Sequence, residues 1–192
     1  MPSATLQQLC DLVSDVAVSN ATTLQQTFSS LLSLHSINPD PEYILKTFAF
    51  MNWTFAQGVW SNLQNTQLRR DLQIELKDSL ITKLAGQVSG SDKVEDIAAK
   101  AVYLTEDFNT YLIKFNQRMQ QAGYADSGAA RLFALEQIQE ECEIGDFVMN
   151  DIVPSLWSDE KSNSEVESVA MQVNNVAAEM RPKGFLRRLF GG

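Results

Sequence analysis

Apolar residues recur along most of this chain at spacings of three and four, the period of a helix with one buried face. Leu6, Leu9, Val13 and Val16 line one side of Thr5–Ser19, and Leu24, Phe28, Leu31 and Leu32 continue over Thr22–Leu34. The interruption at Ser19-Asn20 is weak and leaves two helices or one bent helix open. Asn38-Pro-Asp-Pro41 is a firm stop, after which Asp40 is placed to cap a helix with Pro41 at its first position. Glu42–Gln64 is apolar nearly all round, with Tyr43, Phe48, Phe50, Trp53, Phe55 and Trp60 crowded into it. Such a helix belongs at the centre of a bundle.

Thr66–Val88 is amphipathic through Leu68, Leu72, Leu76, Leu80 and Leu84, and Gly86, Ser89 and Gly90 are expected to close it. Asp92 and Glu95 are spaced as a capping box. A long helix to about Gln121 should follow, with Val94, Ile97, Ala101, Leu104, Phe108, Tyr111 and Phe115 in a heptad-like seam. Gly123–Gly128 reads as a loop. Ala129–Val153 reads as one helix that Gly145 bends and Pro154 ends, with Trp157 packing back. After a polar linker, Ser158–Asn163, the pair Ser162 and Glu165 offers another capping box. Val166, Val169, Val173, Val176 and Met180 then form a thin stripe that predicts a lightly docked helix. The fold class expected is all-α, a bundle of five to seven helices over 1–157. A linker and peripheral helix over 158–180 and a short C-terminal amphipathic helix over 181–192 complete it.

Charge changes the picture at the C-terminus. The chain has 15 Lys+Arg and 24 Asp+Glu, a net charge of −9. Residues 181–192 carry Arg181, Lys183, Arg187 and Arg188 and no acid, so this stretch is +4 on a body of −13. On a helix, Phe185, Leu186, Leu189 and Phe190 share one face while Lys183, Arg187 and Arg188 lie off it. That is the pattern of an interfacial helix, with apolar residues at the acyl boundary and cations among headgroups. Full burial of a Leu or Phe is worth roughly 1.5–3 kcal/mol, and a cation near an anionic leaflet adds about 1 kcal/mol. Ordering each backbone residue costs roughly 1–2 kcal/mol. The balance is marginal, so one copy should bind weakly and reversibly. Two copies held together gain by effective concentration.

The segment Lys183-Gly-Phe-Leu-Arg-Arg-Leu-Phe-Gly-Gly192 closely resembles the C-terminal membrane-targeting sequence of the bacterial cell-division ATPase MinD. The resemblance covers about a dozen residues of the 192. It implies reversible attachment to the inner membrane surface, with Phe185, Leu186, Leu189 and Phe190 at the family's apolar positions. Lys183, Arg187 and Arg188 fall at its basic ones. It implies no ATPase activity, because the chain has no Gly-rich loop ending in Lys-Ser/Thr and no strand–helix alternation.

Other candidates are weaker. His35 is the single histidine, at a predicted helix end where a cation complements the dipole. The acidic run Glu136, Glu140, Glu141 and Glu143 lacks the Glu-x-x-His pairs of a di-iron bundle, so no metal site and no cofactor are expected. Between Glu136 and Glu167 ten acids face one base, Lys161. This suggests a latch in which the basic tail folds back on Glu136, Glu140, Glu141 and Glu143 when no membrane is present. Cys10 and Cys142 read as two reduced, partly buried thiols, their pairing undecided by spacing. The sequons Asn20-Ala-Thr22 and Asn52-Trp-Thr54 carry no weight without secretion, and no signal peptide is evident at Met1. The terminal Gly-Gly is like that of ubiquitin-like tails, which sit on β-rich bodies. Acidity argues against nucleic acid as a partner.

No catalytic constellation of Ser-His-Asp, Cys-His, Walker or Cys-x-x-Cys type is present, so an enzyme is not expected. The expectation is a cytoplasmic adaptor or protein-interaction domain, peripheral to the inner face of the cell membrane. Its partners would be the anionic membrane surface and a protein partner or a second copy. The alternatives are a helical lipid- or small-ligand-binding domain lined by the aromatics of 42–64, whose tail packs on the body or gates the pocket, and a tail that docks in a partner's groove.

Overall fold

One helix, α2 (Pro41–Trp60), is buried along nearly its whole circumference, and the other elements are arranged around it. The computed structural model describes residues 6–61, 63, 65–122, 127–157 and 161–179. The helices around α2 are α1 (Leu6–Ser33), α3 (Thr66–Ser89), α4 (Val94–Ala122), α5 (Ser127–Glu141), α6 (Asp146–Leu156) and α7 (Lys161–Glu179). There is no strand among the described residues, and the fold is an all-α bundle.

α1 is a single helix. Thr22 and Thr23 donate to the carbonyls of Val18 and Ser19 one turn back, and Asn20 is buried. Residues that otherwise compete with the helix for hydrogen bonds are satisfied inside it. The Asn52 amide of α2 donates to Ala17 O (2.8 Å) and Asn20 Oδ1 (2.9 Å), tying α1 to α2 where the sequence weakens. Asp40 caps α2 by accepting from the Glu42 amide at 2.9 Å, with Pro41 first in the helix. α2 ends at Trp60, a turn before the expected Gln64. Gly90, at φ 60°, closes α3, and Gly86 lies inside that helix.

Three expectations are corrected. Ala129–Val153 is two helices, not one bent helix: α5 stops at Glu141, and the Ile144 and Glu143 amides donate back to Gln139 O (3.0 Å) and Glu140 O (3.4 Å). Glu143 sits at φ 52° in this Schellman-type end, a conformation usually left to glycine. Gly145 is then the N-cap of α6, and Pro154 lies inside α6, near its end. α7 is seated firmly: Val166, Ala170 and Val173 join the common core, and Trp60 Nε1 donates to Ala170 O at 3.1 Å. The side chain of Val176 and all of Met180 lie outside the described residues. The capping boxes also differ. Ser91, not Asp92, accepts from the Lys93 amide and donates to Asp96, and α7 begins at Lys161, before Ser162. Residues 123–126 and 158–160 of the two expected loops lie outside the described part, while Ser127–Gly128 and Lys161–Asn163 are helical.

The core condenses on Phe50. Its ring meets Trp53, Phe108, Tyr111, Phe115 and Phe133 at centroid separations of 5.4–6.2 Å, mostly edge to face. The expected α4 seam is buried from Leu104 to Phe115, but Val94 at its start is 75% exposed. On the other side of α2, Phe48 meets Phe28 and Trp157, so Trp157 does pack back. Replacing Phe50 by Ala should cost about 3–5 kcal/mol, whereas Val102→Ala on the exposed face of α4 should stay within about 0.5 kcal/mol. Urea unfolding midpoints measure both.

Candidate functional site

The seven tail residues singled out by pattern, Lys183, Phe185, Leu186, Arg187, Arg188, Leu189 and Phe190, lie outside the described residues. Where the tail begins is fixed by α7. That helix starts near Trp157, which packs on Phe48, and reaches Trp60 at Ala170, so it runs in the same direction as α2. α1 runs the opposite way, with Phe28 beside Phe48 and Ala17 beside Asn52. α3 returns parallel to α1, with Leu72 by Cys10, Ser79 by Ser14 and Gln87 by Thr22. α7 therefore ends at the end of the bundle where α1 and α3 begin.

The four candidate latch acids lie elsewhere. α5 runs antiparallel to α2, with Arg131 over the Phe55 ring at 5.9 Å and the Tyr43 hydroxyl donating to Gln137 O at 3.2 Å. The last turn of α5 is thus beside the first turn of α2. Glu136 is engaged by Arg118 in a two-point pair, Nη2 to Oε1 at 2.6 Å. Glu136 and Glu140 border a cleft of ≈ 290 Å³ with Lys114 and Arg118. Glu141 and Glu143 border a second cleft, of ≈ 380 Å³, with Ile37, Asp40, Tyr43 and Cys142. The four are split between two clefts. Adding the helical rise from Tyr43 to Trp60 to that from Ala170 to Glu179 puts the last three roughly 40 Å from the end of α7, whereas twelve residues of helix rise about 18 Å. A tail in helical form does not span that gap within one molecule.

Placing the charges near the two ends on this frame shows a polarised body. The end holding the 34–40, 90–93 and 142–145 turns carries Asp40 and Glu42, then Asp92, Glu95 and Asp96, then Glu140, Glu141, Glu143, Asp146 and Asp151. Against these stand Lys46, Lys93 and Lys100. The opposite end is close to balanced, with Arg69, Arg70, Lys83, Lys114, Arg118 and Arg131 against Asp11, Asp15, Asp71, Glu75, Glu136 and Glu179. His35 belongs to the acidic end, where its Nε2 meets Asp151 Oδ2 at 3.1 Å and joins α1 to α6. Beside this pair Leu34 and Phe147 are 79% and 84% exposed, the two most exposed large apolar side chains among the described residues.

Pattern reading missed Lys46. Its ammonium is nearly buried, 2.7 Å from Asp107 Oδ2 and over the rings of Tyr43 (5.0 Å) and Tyr103 (5.4 Å). Lys100 completes the seam by pairing with Glu42 at 2.6 Å and lying over Tyr103. A lone lysine in an apolar stretch was the available signal, because a buried cation requires a partner. The aromatics of 42–64 are core: of them only Tyr43 borders a described cleft. Two donors of this helix, Trp53 Nε1 and Gln57 Nε2, are buried one turn apart with no protein acceptor among the described residues.

Cys10 and Cys142 are both free thiols, the first fully buried and the second half-buried. Burial pushes the Cys10 thiol up to about 12, with Glu75 and Asp11 adding to the effect. The Tyr111 phenol is raised as well, chiefly by burial. Among the described residues no three His, Cys, Asp or Glu side chains converge to hold a metal ion, and no helix is long and apolar enough to cross a membrane. No family model, curated protein or solved structure matches the chain.

The raised thiol has a pH consequence. Above the ordinary thiol value of 9.0 the unfolded chain releases a proton that folded Cys10 retains up to about 12. The contribution is therefore complete below 9.0 and is lost as pH rises toward 12. Native Cys10 should resist thiol reagents at neutral pH. The fall in urea midpoint between pH 8 and about 10.5 should be shallower in Cys10→Ala.

Proposed function

We propose that this protein is a non-enzymatic peripheral membrane adaptor: a rigid helical body held reversibly on anionic membrane by residues 181–192. The observation that carries the reading is the tail's pattern, four large apolar residues on one face with Lys183, Arg187 and Arg188 beside them. The fold supports it by its contrast. The body buries its apolar helix faces in one aromatic core, and its charge is concentrated at the end away from where α7 finishes. The exposed pair Leu34 and Phe147 at that far end suits contact with a protein partner or a second copy. The location proposed is the cytoplasmic face of the cell membrane.

A second reading, a small-ligand-binding body, draws on the unpartnered donors Trp53 Nε1 and Gln57 Nε2. A molecule retained in native mass spectrometry and lost on Gln57→Leu would favour it.

Co-sedimentation with phosphatidylglycerol-containing and neutral vesicles tests the adaptor reading. The full chain should pellet with the anionic vesicles, and a chain ending at Met180 should stay in solution. Binding should weaken as salt rises, because the cations act through a screened field. Failure of the full chain to bind, even when joined as a dimer, contradicts the reading.

A further inference from the structure

Attachment by a short tail leaves open which way the body faces, and the charge map answers that. We propose that the bundle stands on the membrane by the end where α3 begins, with Arg70 and the first turn of α3 against the headgroups and the acidic end held away. This rests on the adaptor reading and specifies the surface it uses.

Three independent observations converge. The first is where the tail is rooted: α7 passes Trp60 and continues nine residues beyond Ala170, bringing Glu179 to the α3-start end. The second is the local chemistry of that end. Arg69 is spent on the chain, since its Nη1 donates to Ser61 O at 3.0 Å. Arg70 beside it is exposed, on a turn whose cap, Asn65, holds the Leu68 amide. Ile74, one turn further along the same face, is 61% exposed. With the start of α3 facing the membrane, Arg70 lies a turn nearer the headgroups than Ile74, so the cation makes the contact.

The third observation is repulsion. The far end holds Asp92, Glu95 and Asp96 where α3 gives way to α4, and Glu140, Glu141 and Glu143 where α5 gives way to α6. About 40 Å of helical rise separates Glu140, Glu141 and Glu143 from the tail root, several Debye lengths at physiological salt. Standing upright keeps them beyond the negative surface potential, whereas lying flat or inverted brings them into it. The tail's pull and the body's repulsion thus select one pose, and the acidic end with Leu34 and Phe147 is presented outward.

The test uses the full chain with Cys142→Ser and a short-range fluorophore at Thr66→Cys or Asp92→Cys. Cys10 is fully buried and stays unlabelled. Both sites are exposed, one at each end of the bundle. On phosphatidylglycerol–phosphatidylcholine vesicles with a headgroup quencher, the probe at 66 should be strongly quenched and the probe at 92 nearly untouched. Arg70→Glu should lower vesicle affinity on the order of tenfold at low salt, and Arg70→Lys should retain it. Equal quenching at both sites, or stronger quenching at 92, with binding intact, overturns the orientation and leaves tail attachment standing. No binding by either labelled full chain overturns the attachment itself.

Discussion

The structure depends on the burial of α2 on every side. Thirteen of its twenty residues are buried, including Lys46, Thr47 and Asn52. A helix with so little solvent face must be wrapped, and five other helices approach it. Phe50 shows the constraint at its tightest, because its ring is shared by residues of α2, α4 and α5. Three buried polar residues on α2 find partners one by one. Lys46 finds Asp107, Thr47 finds Tyr43 O and Tyr111, and Asn52 reaches α1. Each match joins α2 to another element or to its own preceding turn, so the buried polar groups also fix how the helices are registered.

Charge is organised on a different scale. Between helices, ion pairs are specific and short-range, as in Lys46–Asp107 and Arg118–Glu136. At the ends it is the sum that matters, and the sum differs sharply between them. Acids gather where α5 gives way to α6 and where α3 gives way to α4, while the end at which α7 finishes is nearly neutral. A tail of +4 follows α7. The molecule therefore has a polarity along its length that an unbiased scatter of surface charge would not give, and an anionic surface reads such polarity as orientation.

Much of the fold was legible because helical periodicity is a strong signal in long segments. The Asp40-Pro41 cap, the buried α2 and the α4 seam from Leu104 to Phe115 all follow from pattern. What pattern missed was decided by tertiary hydrogen bonds. Ser19-Asn20 looks like a break, yet Asn52 holds it helical. The α5–α6 boundary carries no glycine at its left-handed residue, Glu143, so Gly145 two residues on read as a bend and not as a break. α7 has a thin stripe, but small residues such as Ala170 let it approach Trp60 closely. Glu136, Glu140, Glu141 and Glu143 are neighbours in sequence, yet helix geometry divides them between two clefts. The tail itself was legible only as a pattern.

The central claim is that residues 181–192 are a self-sufficient address and the bundle is its cargo. The most direct measurement moves those twelve residues onto an unrelated soluble dimer and follows its partition onto phosphatidylglycerol vesicles. The account predicts that the transplanted tail brings the carrier to the vesicles, and that Leu186→Asp with Leu189→Asp abolishes the transfer. A carrier that stays in solution, while the full chain of this protein binds, would contradict it and move the membrane contact onto the body.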